Sequence, residues 1–301
     1  MSVGPDGAPR SEATVAGVRL SHPDRILYAE QGITKAILAD YYVAVAEVML
    51  PHVARRPLTL VRCPTGQESK CFYQRHAGSG VPGQLKQVKI PGFDEPYLYI
   101  EDVSGLVAMV QMGVLEIHPW GVTVDRPVDP DRIIFDLDPG EGPGFDDVIA
   151  AAREIRDGLA SLGLESFVKT TGGKGLHVVV PIRPGIGWQQ AKAFAKDFAE
   201  ALAAEAPDRF LTRIAKAERV GRIFIDYLRN DATSTAIAPY STRARPGAPV
   251  AMPLAWDALR KGLDPRSFTV ETVPARVARR KDDPWAAMLE IDQRLPDQVR
   301  R

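Results

Sequence analysis

The segment Ile133–Gly140 constrains the fold of this 301-residue chain more than any other stretch of its sequence. Three apolar residues that favour strands lead into Asp136 and Asp138, and a Pro-Gly pair then ends the run. Residues i and i+2 of a strand point to one face, so the two aspartates should lie side by side while Phe135 and Leu137 face a core. Two close carboxylates on an apolar strand stay ionised together when a cation such as Mg²⁺ or Mn²⁺ lies between them. The alternative interpretation is a solvated pair of acids at a strand end, and other parts of the chain must decide between the two.

The bulk composition excludes some classes of protein and leaves others open. Lys and Arg number 38 and Asp and Glu number 38, so the formal net charge is zero, without the global basic excess of many nucleic-acid binders. A local basic groove is still compatible with this balance. Cys63 and Cys71 are too few for a disulfide framework or a four-ligand zinc site, and they indicate a reducing compartment. No apolar run approaches the roughly 18 residues of a membrane span, so we expect a cytoplasmic protein.

Strands and helices alternate along the chain without a strict repeat, which predicts a mixed α/β fold. Apolar residues at helical spacing predict helices over residues 35–50, 103–112, 145–162, 188–204 and 284–293, with a helical turn or two over 256–261. Thr34 is the expected N-cap of the first helix, and Pro51 is its expected end. Residues 1–15 are polar and rich in Gly and Pro, which predicts a flexible tail, and residues 16–301 are expected to form a single compact domain.

A third acid repeats the pattern of the first pair. Asp226 closes the apolar run Ile223–Ile225, just as Asp136 closes its own strand. A third carboxylate at the end of a second buried strand is what a two-metal site needs, with the ions roughly 3.5–4 Å apart. Alone, Asp226 is equally compatible with a strand-end acid bound to the backbone or to an arginine.

A glycine-rich segment, Thr170–His177, suggests a phosphate-binding loop. Three glycines in four residues let the backbone approach a ligand closely, and their exposed N–H groups can form an anion nest. Lys174 adds a point charge, Thr171 adds a hydroxyl, and His177 follows at the mouth of a β-branched strand. The spacing is not that of the Walker motif, so an ordinary mononucleotide loop is not expected. A glycine-rich hairpin with a satisfied histidine is the alternative.

Several arginines are expected to lie near Asp226. Arg219 and Arg222 precede it, and Arg229 follows it. Further along, Arg243 and Arg245 alternate in an extended segment, which puts them on one side, in a good position for bidentate phosphate contacts. Each arginine taken singly is also compatible with a solvated surface charge.

Taken together and in this order, four segments resemble one known family: residues 135–140, 170–178, 224–231 and 238–251. They are similar to the polymerase domain of bacterial DNA ligase D, in the archaeo-eukaryotic primase superfamily. Two more segments, 21–35 and 114–120, also resemble that family, so the likeness extends from about residue 18 to 295. It implies a mixed α/β, primase-like catalytic lobe over about 126–301, with a central, mostly antiparallel sheet flanked by helices, and an N-terminal α/β lobe over about 16–125.

The resemblance implies roles for individual residues in catalysis. The family's first motif supplies two metal-binding aspartates, which match Asp136 and Asp138, and its third motif supplies one, which matches Asp226. The residues implied to contact the incoming nucleotide are His118 near the sugar, Thr171, Lys174 and His177 of the second motif, and the triphosphate clamp Arg243 and Arg245. Some relatives have serine in place of Thr171, which keeps the hydroxyl.

The resemblance also implies a site for a DNA end. Relatives bind a recessed 5′-phosphate through two basic residues, which match Arg25 and Lys35, although Arg25 replaces a lysine seen in relatives. Phe72 and Tyr73 match an adjacent aromatic pair that stacks on template DNA at the break, and a tyrosine in second place should still stack.

The implied reaction is nucleotidyl transfer to a primer 3′-OH, templated and in part untemplated, at DNA gaps and double-strand break ends in non-homologous end joining. Two divalent ions, with Mn²⁺ preferred over Mg²⁺, and a preference for ribonucleoside triphosphates over dNTPs are implied too. The implied partners are gapped or broken duplex DNA with a 5′-phosphate, ligase and nuclease domains of a parent protein, and Ku, and the implied location is the nucleoid. A primase, a metal-dependent phosphodiesterase and a non-catalytic DNA-end-binding module remain as alternatives.

Overall fold

A computed structural model describes residues 12–296. The strands of this part of the chain are β1 (Glu12–Val15), β2 (Val18–Ser21), β3 (Ile26–Tyr28), β4 (Ile33–Thr34), β5 (Leu58–Arg62), β6 (Phe72–Gln74), β7 (Lys86–Val88), β8 (Tyr97–Tyr99), β9 (Val114–Pro119), β10 (Arg132–Pro139), β11 (Phe167–Thr170), β12 (Leu176–Pro181), β13 (Phe210–Leu211), β14 (Ile223–Asp226) and β15 (Pro253–Leu254). The helices are α1 (Lys35–Val53), α2 (Val103–Gln111), α3 (Phe145–Ser161), α4 (Trp188–Glu205) and α5 (Val273–Ala278), with short 3₁₀ helices at Lys216–Arg219, Pro265–Ser267 and Ala286–Leu289.

A six-stranded sheet forms the centre of the C-terminal half of the chain. Its strand order is β13-β14-β10-β12-β11-β15, and every pair is antiparallel except β13 with β14. Strand β10 lies between β12 and β14, and its register sets Asp136 opposite His177 on one side and opposite Asp226 on the other. The acids of two distant segments therefore meet at the middle of the sheet.

The two faces of β10 differ as the alternation predicts. Phe135 and Leu137 are fully buried, and the Phe135 ring packs on Phe198 of α4 with the ring centroids 5.1 Å apart. Helix α3 packs on β10 and β12, and α4 packs on β10 and β13. Burying one face under helices leaves the other face of the strand to carry its two aspartates into a cavity.

The N-terminal half is built on a second sheet of five strands, in which β6-β5-β8-β7 run in order and β9 also pairs with β5. Side chains join this half to the C-terminal half: the Tyr41 hydroxyl of α1 donates to Tyr240 O (2.7 Å), and the Thr242 hydroxyl donates to Leu115 O of β9 (2.5 Å). Because these bonds are buried, they fix residues 240–242 against α1 and β9.

Helix α1 is long and apolar enough to span a membrane, although the sequence analysis expected no such segment. Its 19 residues and mean hydropathy of 1.3 would allow it to cross a membrane, although Asp40 and Glu47 interrupt the run. Its apolar residues pack instead on α2 and α5, and the buried Tyr41 and Tyr42 bond to segment 240–242. The composition is therefore that of a core helix. Thr34 caps it as predicted, with its hydroxyl accepting from Ile37 N.

Several predicted boundaries are wrong. Helix α1 continues past Pro51 to Val53, because a proline in the last turn removes one N–H group while Ala54 N still donates to Leu50 O. The predicted tail through residue 15 is too long, since residues 12–15 pair with β2 as strand β1. Residues 1–11 of that tail lie outside the described residues, and the division into two lobes stays a prediction.

The C-terminal helices were also predicted wrongly. Residues 256–261 form turns, with the Trp256 indole N–H bonded to Ser166 O, and the sequence analysis missed α5. The predicted helix over 284–293 reduces to the 3₁₀ turn Ala286–Leu289. Gln293 O accepts from Arg183 N just beyond β12, and tertiary bonds of this kind hold the end of the segment extended.

Cys63 and Cys71 form a disulfide in the structure. The sequence had instead indicated two reduced cysteines in a reducing compartment. The pair connects the end of β5 to the residue before β6 and so closes the loop between these strands.

Candidate active site and DNA-end pocket

Three predicted metal ligands converge at the middle of the central sheet. Strand β10 carries Asp136 and Asp138, and β14 brings Asp226 directly opposite Asp136. The guanidinium of Arg229 lies between the two strands, with its Nε 3.1 Å from Asp226 Oδ2 and 3.3 Å from Asp136 Oδ2. Arg219 Nη1 is 4.0 Å from Asp138 Oδ2. We call the three aspartates and Arg229 the catalytic cluster.

The acids of the catalytic cluster repel one another. Burial and the neighbouring charge of Asp136 raise the pKa of Asp138 to about 6. Burial also raises the pKa of Asp226, against the opposing effect of Arg229. Burial would raise the pKa of Asp136 as well, but His177 and Arg229 outweigh it and lower that pKa to about 2. The three acids therefore have more negative charge than Arg229 and the more distant Arg219 neutralise.

These residues fit a divalent ion by their chemistry. Their oxygens are hard ligands, and a cation would relieve the repulsion that raises the pKa of Asp138. Asp136 Oδ1 is buried and makes no hydrogen bond within the described residues. Across residues 12–296 no group of three or more His, Cys, Asp or Glu side chains is placed so that it could hold a metal ion. Arg229 instead lies against both Asp136 and Asp226.

A cavity of about 340 Å³ opens over the cluster. Its walls include eight of the residues predicted to bind metal or nucleotide: His118, Asp136, Asp138, Thr171, Lys174, His177, Arg243 and Arg245. Arg219 and Arg229 also line it, whereas Arg222 points away and donates to Pro207 O. The lining of the cavity thus combines two carboxylates with several cationic side chains.

Two glycines hold the phosphate-binding loop against its surroundings. Gly172 has φ of +68°, and a Cβ there would lie 2.6 Å from Arg243 Cγ. A Cβ on Gly175 would lie 2.5 Å from Leu137 O of β10. The Arg243 guanidinium donates to Thr171 O (2.6 Å), while Lys174 stays exposed at the tip. Only glycine permits this close approach, which positions Lys174 and Arg243 around one space.

A row of four side chains crosses the central sheet. The strand register sets Lys169 opposite His177, His177 opposite Asp136 and Asp136 opposite Asp226. His177 Nε2 is 3.3 Å from Asp136 Oδ1. Burial, followed by the charge of Lys169, lowers the pKa of His177 to about 4, so its ring is neutral at pH 7. The sequence analysis missed Lys169, whose pKa burial lowers to about 7.

His118 is held by a buried acid that the sequence analysis did not propose. Its Nε2 lies 2.8 Å from Glu116 Oε2, and the other oxygen of Glu116 is 3.0 Å from Arg243 Nε. Burial opposes the ionisation of Glu116, but the His118 hydrogen bond and Arg243 lower its pKa to about 2. Glu116 and His118 are two residues apart on β9, so the period-2 spacing could have indicated this pair.

The predicted DNA-end residues lie at a second pocket, of about 380 Å³. Arg25, Lys35 and Arg62 line it together with Pro64 and Gln111, and we call it the end pocket. The buried Lys35 ammonium donates to Ser21 O (2.7 Å) and to Gln111 Oε1 (3.2 Å). Burial, then the charge of Arg25, lowers the pKa of Lys35 to about 8.

The predicted aromatic pair is exposed on β6. Phe72 is 44% exposed and Tyr73 is 73% exposed, unusual for large apolar side chains. The guanidinium carbon of Arg62 lies 5.3 Å from the centre of the Phe72 ring. Arg62 was not proposed from the sequence, and its contacts with the ring and the end pocket link these two surfaces.

Known proteins resemble the chain along most of its length. A family model described as LigD, primase-polymerase domain, matches residues 34–285. The multifunctional non-homologous end joining protein LigD of Pseudomonas aeruginosa is 37% identical over 295 residues, which are 97% of this chain and 35% of that protein. LigD of Mycolicibacterium smegmatis is 37% identical over 244 residues, which are 80% of this chain and 32% of that protein.

A solved structure supports the same assignment. The polymerase domain from Mycobacterium tuberculosis ligase D in complex with DNA matches with a TM-score of 0.83 and 32% identity, covering 90% of this chain and 98% of that one. The chain therefore belongs to the LigD primase-polymerase domain family, whose members are nucleotidyltransferases. This confirms the resemblance and the predicted fold class. The chain spans about a third of the length of the two LigD proteins.

Proposed function

We propose that this chain is the polymerase unit of a non-homologous end-joining protein, and that it adds nucleotides to a primer 3′-OH at DNA gaps and break ends. The observation that carries the proposal is the cavity that Asp136 and Asp138 line together with Lys174, Arg243 and Arg245. Carboxylates suit metal ions, and these cations suit a triphosphate, so the cavity can bind both of the groups that nucleotidyl transfer needs. Addition is templated at a gap and partly untemplated at a free end.

The roles of the residues follow from their positions. Asp136, Asp138 and Asp226 would hold two divalent ions, with Mn²⁺ preferred, which when bound activate the 3′-OH and stabilise the leaving pyrophosphate. Lys174, Arg243 and Arg245, which line the same cavity, would neutralise the triphosphate. His177 is neutral and lies beside Asp136, so it would contact the nucleotide through a hydrogen bond rather than through a charge.

The preference for ribonucleotides is proposed to arise at His118 or Thr171, since both line the cavity and can reach a hydroxyl. Burial lowers the pKa of His118 against the opposing bond from Glu116, so the neutral ring can donate or accept a hydrogen bond. Glu116 orients this ring and Arg243 together, which couples recognition of the sugar to recognition of the phosphates.

The end pocket is proposed to bind the 5′-phosphate of gapped or broken duplex DNA through Arg25 and Lys35, while Phe72 and Tyr73 stack on the template. Ligase and nuclease domains of a parent protein, and Ku, are the proposed partners, in the cytoplasm at the nucleoid. The longer relatives are named as multifunctional end-joining proteins, which supports this assignment.

Primer extension on a gapped duplex tests the proposal. Wild-type protein with Mn²⁺ should lengthen the primer, with ribonucleotides more efficient than deoxynucleotides and Mn²⁺ more effective than Mg²⁺. A primase would start a new strand without a primer, and a phosphodiesterase would shorten the primer strand in the absence of a nucleoside triphosphate. The proposal would be rejected if the primer is not lengthened with either metal ion or either type of nucleotide.

A further inference from the structure

The disulfide lies between the two surfaces assigned to the DNA end. Cys63 follows the last residue of β5, and Cys71 precedes the first residue of β6, with their Cα atoms 4.4 Å apart. Between them runs a seven-residue loop, 64–70. The cross-strand pair next to the disulfide is Arg62 with Phe72, whose side chains form the contact between the end pocket and the exposed ring.

The loop that the disulfide closes forms part of the end pocket. Pro64, directly after Cys63, lines the pocket, and its carbonyl accepts a hydrogen bond from Arg25 Nη1 (3.2 Å). Further along, Gln67 N donates to Leu27 O (2.7 Å), which holds the loop against β3. The position of the loop therefore sets where the guanidinium of Arg25 lies.

The two sulfur atoms differ in access. Cys63 is fully buried, and its N–H donates to Gly113 O (2.7 Å), whereas Cys71 is only partly buried. A thiolate from outside can therefore approach Cys71 Sγ, with Cys63 as the leaving group. Because of this difference, an external thiolate should attack Cys71 and release Cys63.

We propose that Cys63 and Cys71 form a thiol–disulfide exchange site that sets the affinity of the chain for 5′-phosphorylated DNA ends. The disulfide form binds such ends more tightly, because it holds Pro64 and Arg25 in place. The inference rests on the proposed function of the end pocket and adds a chemical state that controls it.

The exchange needs a dithiol as reductant. One thiolate of the dithiol attacks Cys71 Sγ, the Sγ–Sγ bond breaks, and Cys63 leaves as a thiolate that takes up a proton. The second thiol then displaces Cys71 from the mixed disulfide, so two electrons and two protons reach the protein and the reagent becomes a cyclic disulfide.

Reduction frees the loop without unfolding the sheet. Strands β5 and β6 stay paired at Leu60–Gln74, Val61–Tyr73 and Arg62–Phe72, but residues 64–70 gain conformational freedom. The Arg25 contact to Pro64 O must then be ordered again when a phosphate binds. The loss of one such ordered contact corresponds to about fivefold weaker binding.

The test compares both redox states of the wild-type chain. Binding of a fluorescent gapped duplex, with and without its 5′-phosphate, is measured by anisotropy after oxidation and after treatment with dithiothreitol, with free thiols counted in each sample. We expect no free thiols and tight binding when oxidised, then two thiols and about fivefold weaker binding of the phosphorylated duplex when reduced. Affinity for the unphosphorylated duplex should stay the same.

The double variant Cys63→Ser/Cys71→Ser is the matched control, and it should bind like the reduced protein and ignore the reagent. Equal affinity of the two wild-type states, or two free thiols after oxidation, overturns the proposal even when the double variant does not fold. Primer extension at saturating DNA separates this result from the proposed function. A protein that extends primers in both states but binds ends equally well rejects only the redox site.

Discussion

Two buried charge clusters in this chain differ in how they are balanced. In the first, which we call the structural cluster, Asp131 is bound by Arg56 Nη1 (3.0 Å) and Arg132 Nε (2.9 Å), with His52 nearby. Burial opposes the ionisation of Asp131, but Arg132 and Arg56 outweigh it and hold the pKa of this acid well below its usual range. The structural cluster therefore contains all the counter-charge that its acid needs.

The catalytic cluster, in contrast, has an excess of negative charge. Three aspartates share Arg229 and a distant Arg219, and the pKa of Asp138 is raised to about 6 by burial and by Asp136. The difference between the two clusters shows that buried charge alone does not indicate a metal-binding site. An acid whose pKa is raised by burial and by like charges marks a place suited to an external cation, and one whose pKa is lowered by its partners marks a satisfied ion pair.

The largest expected effect comes from removing one acid of the catalytic cluster. Asp226→Asn should lower primer extension by at least about a thousandfold, because the ions lose a ligand, while the free energy of unfolding stays the same or rises as repulsion falls. Extension assays and urea denaturation measure the two effects. Wild-type-like extension by this variant would contradict the role of Asp226.

Removing an arginine of the structural cluster should lower the stability of the fold and leave nucleotide binding unchanged. Arg56→Ala removes a buried partner of Asp131 and should lower the free energy of unfolding by about 3 kcal/mol in urea. The KM for nucleotide should not change in the folded variant. Arg266→Ala is the control, because its ion pair with Asp264 is exposed and should contribute less than about 0.5 kcal/mol. Similar losses in both variants would invalidate the distinction.

Mn²⁺ should stabilise the chain through the catalytic cluster and not through the structural cluster. At about a hundred times its dissociation constant, Mn²⁺ should raise the free energy of unfolding of the wild type by about 2.7 kcal/mol. Arg56→Ala should gain as much as the wild type, whereas Asp226→Asn should gain clearly less. Equal stabilisation of all three proteins would indicate that the metal binds elsewhere.

The smallest effect concerns the end pocket and pH. Burial, then Arg25, lowers the pKa of Lys35 to about 8, so this lysine is charged below pH 8 and loses its charge as the pH rises through that value. The affinity advantage of a 5′-phosphate should therefore fall by roughly fivefold between pH 7 and pH 9. Lys35→Arg keeps its charge and should show a flat profile in the same range. An advantage that stays constant in the wild type would contradict the assignment.

The sequence predicted the parts of the site that depend on local periodicity. The alternation in β10 correctly put Asp136 and Asp138 on one face and Phe135 and Leu137 on the other, because the two-residue repeat of a strand is independent of its partners. Thr34 was correctly identified as an N-cap for a similar reason, since capping involves only the next few residues.

Features that depend on tertiary partners could not be predicted in this way. The pairing of Asp136 with Asp226 brings together residues 90 positions apart. The local pattern made Asp226 a candidate, but it left a strand-end acid bound to the backbone or an arginine equally open, and the resemblance to a family decided between the two. Lys169 gains its importance from burial beside His177, its cross-strand neighbour on β12, which no local pattern reveals. Glu116 could have been placed beside His118 by the two-residue spacing on β9, but its bond to Arg243 depends on the fold. Residues 284–293 failed as a helix because their bonds go to distant strands.

The number of Mn²⁺ ions that the chain binds shows whether the three aspartates form a metal site. Equilibrium dialysis in the presence of a non-hydrolysable ribonucleoside triphosphate should find two ions per wild-type chain and fewer for Asp226→Asn, with Arg56→Ala like the wild type. Mn²⁺ binding that is absent from the wild type, or that is the same in Asp226→Asn, would contradict the account of an acidic cluster built to hold metal.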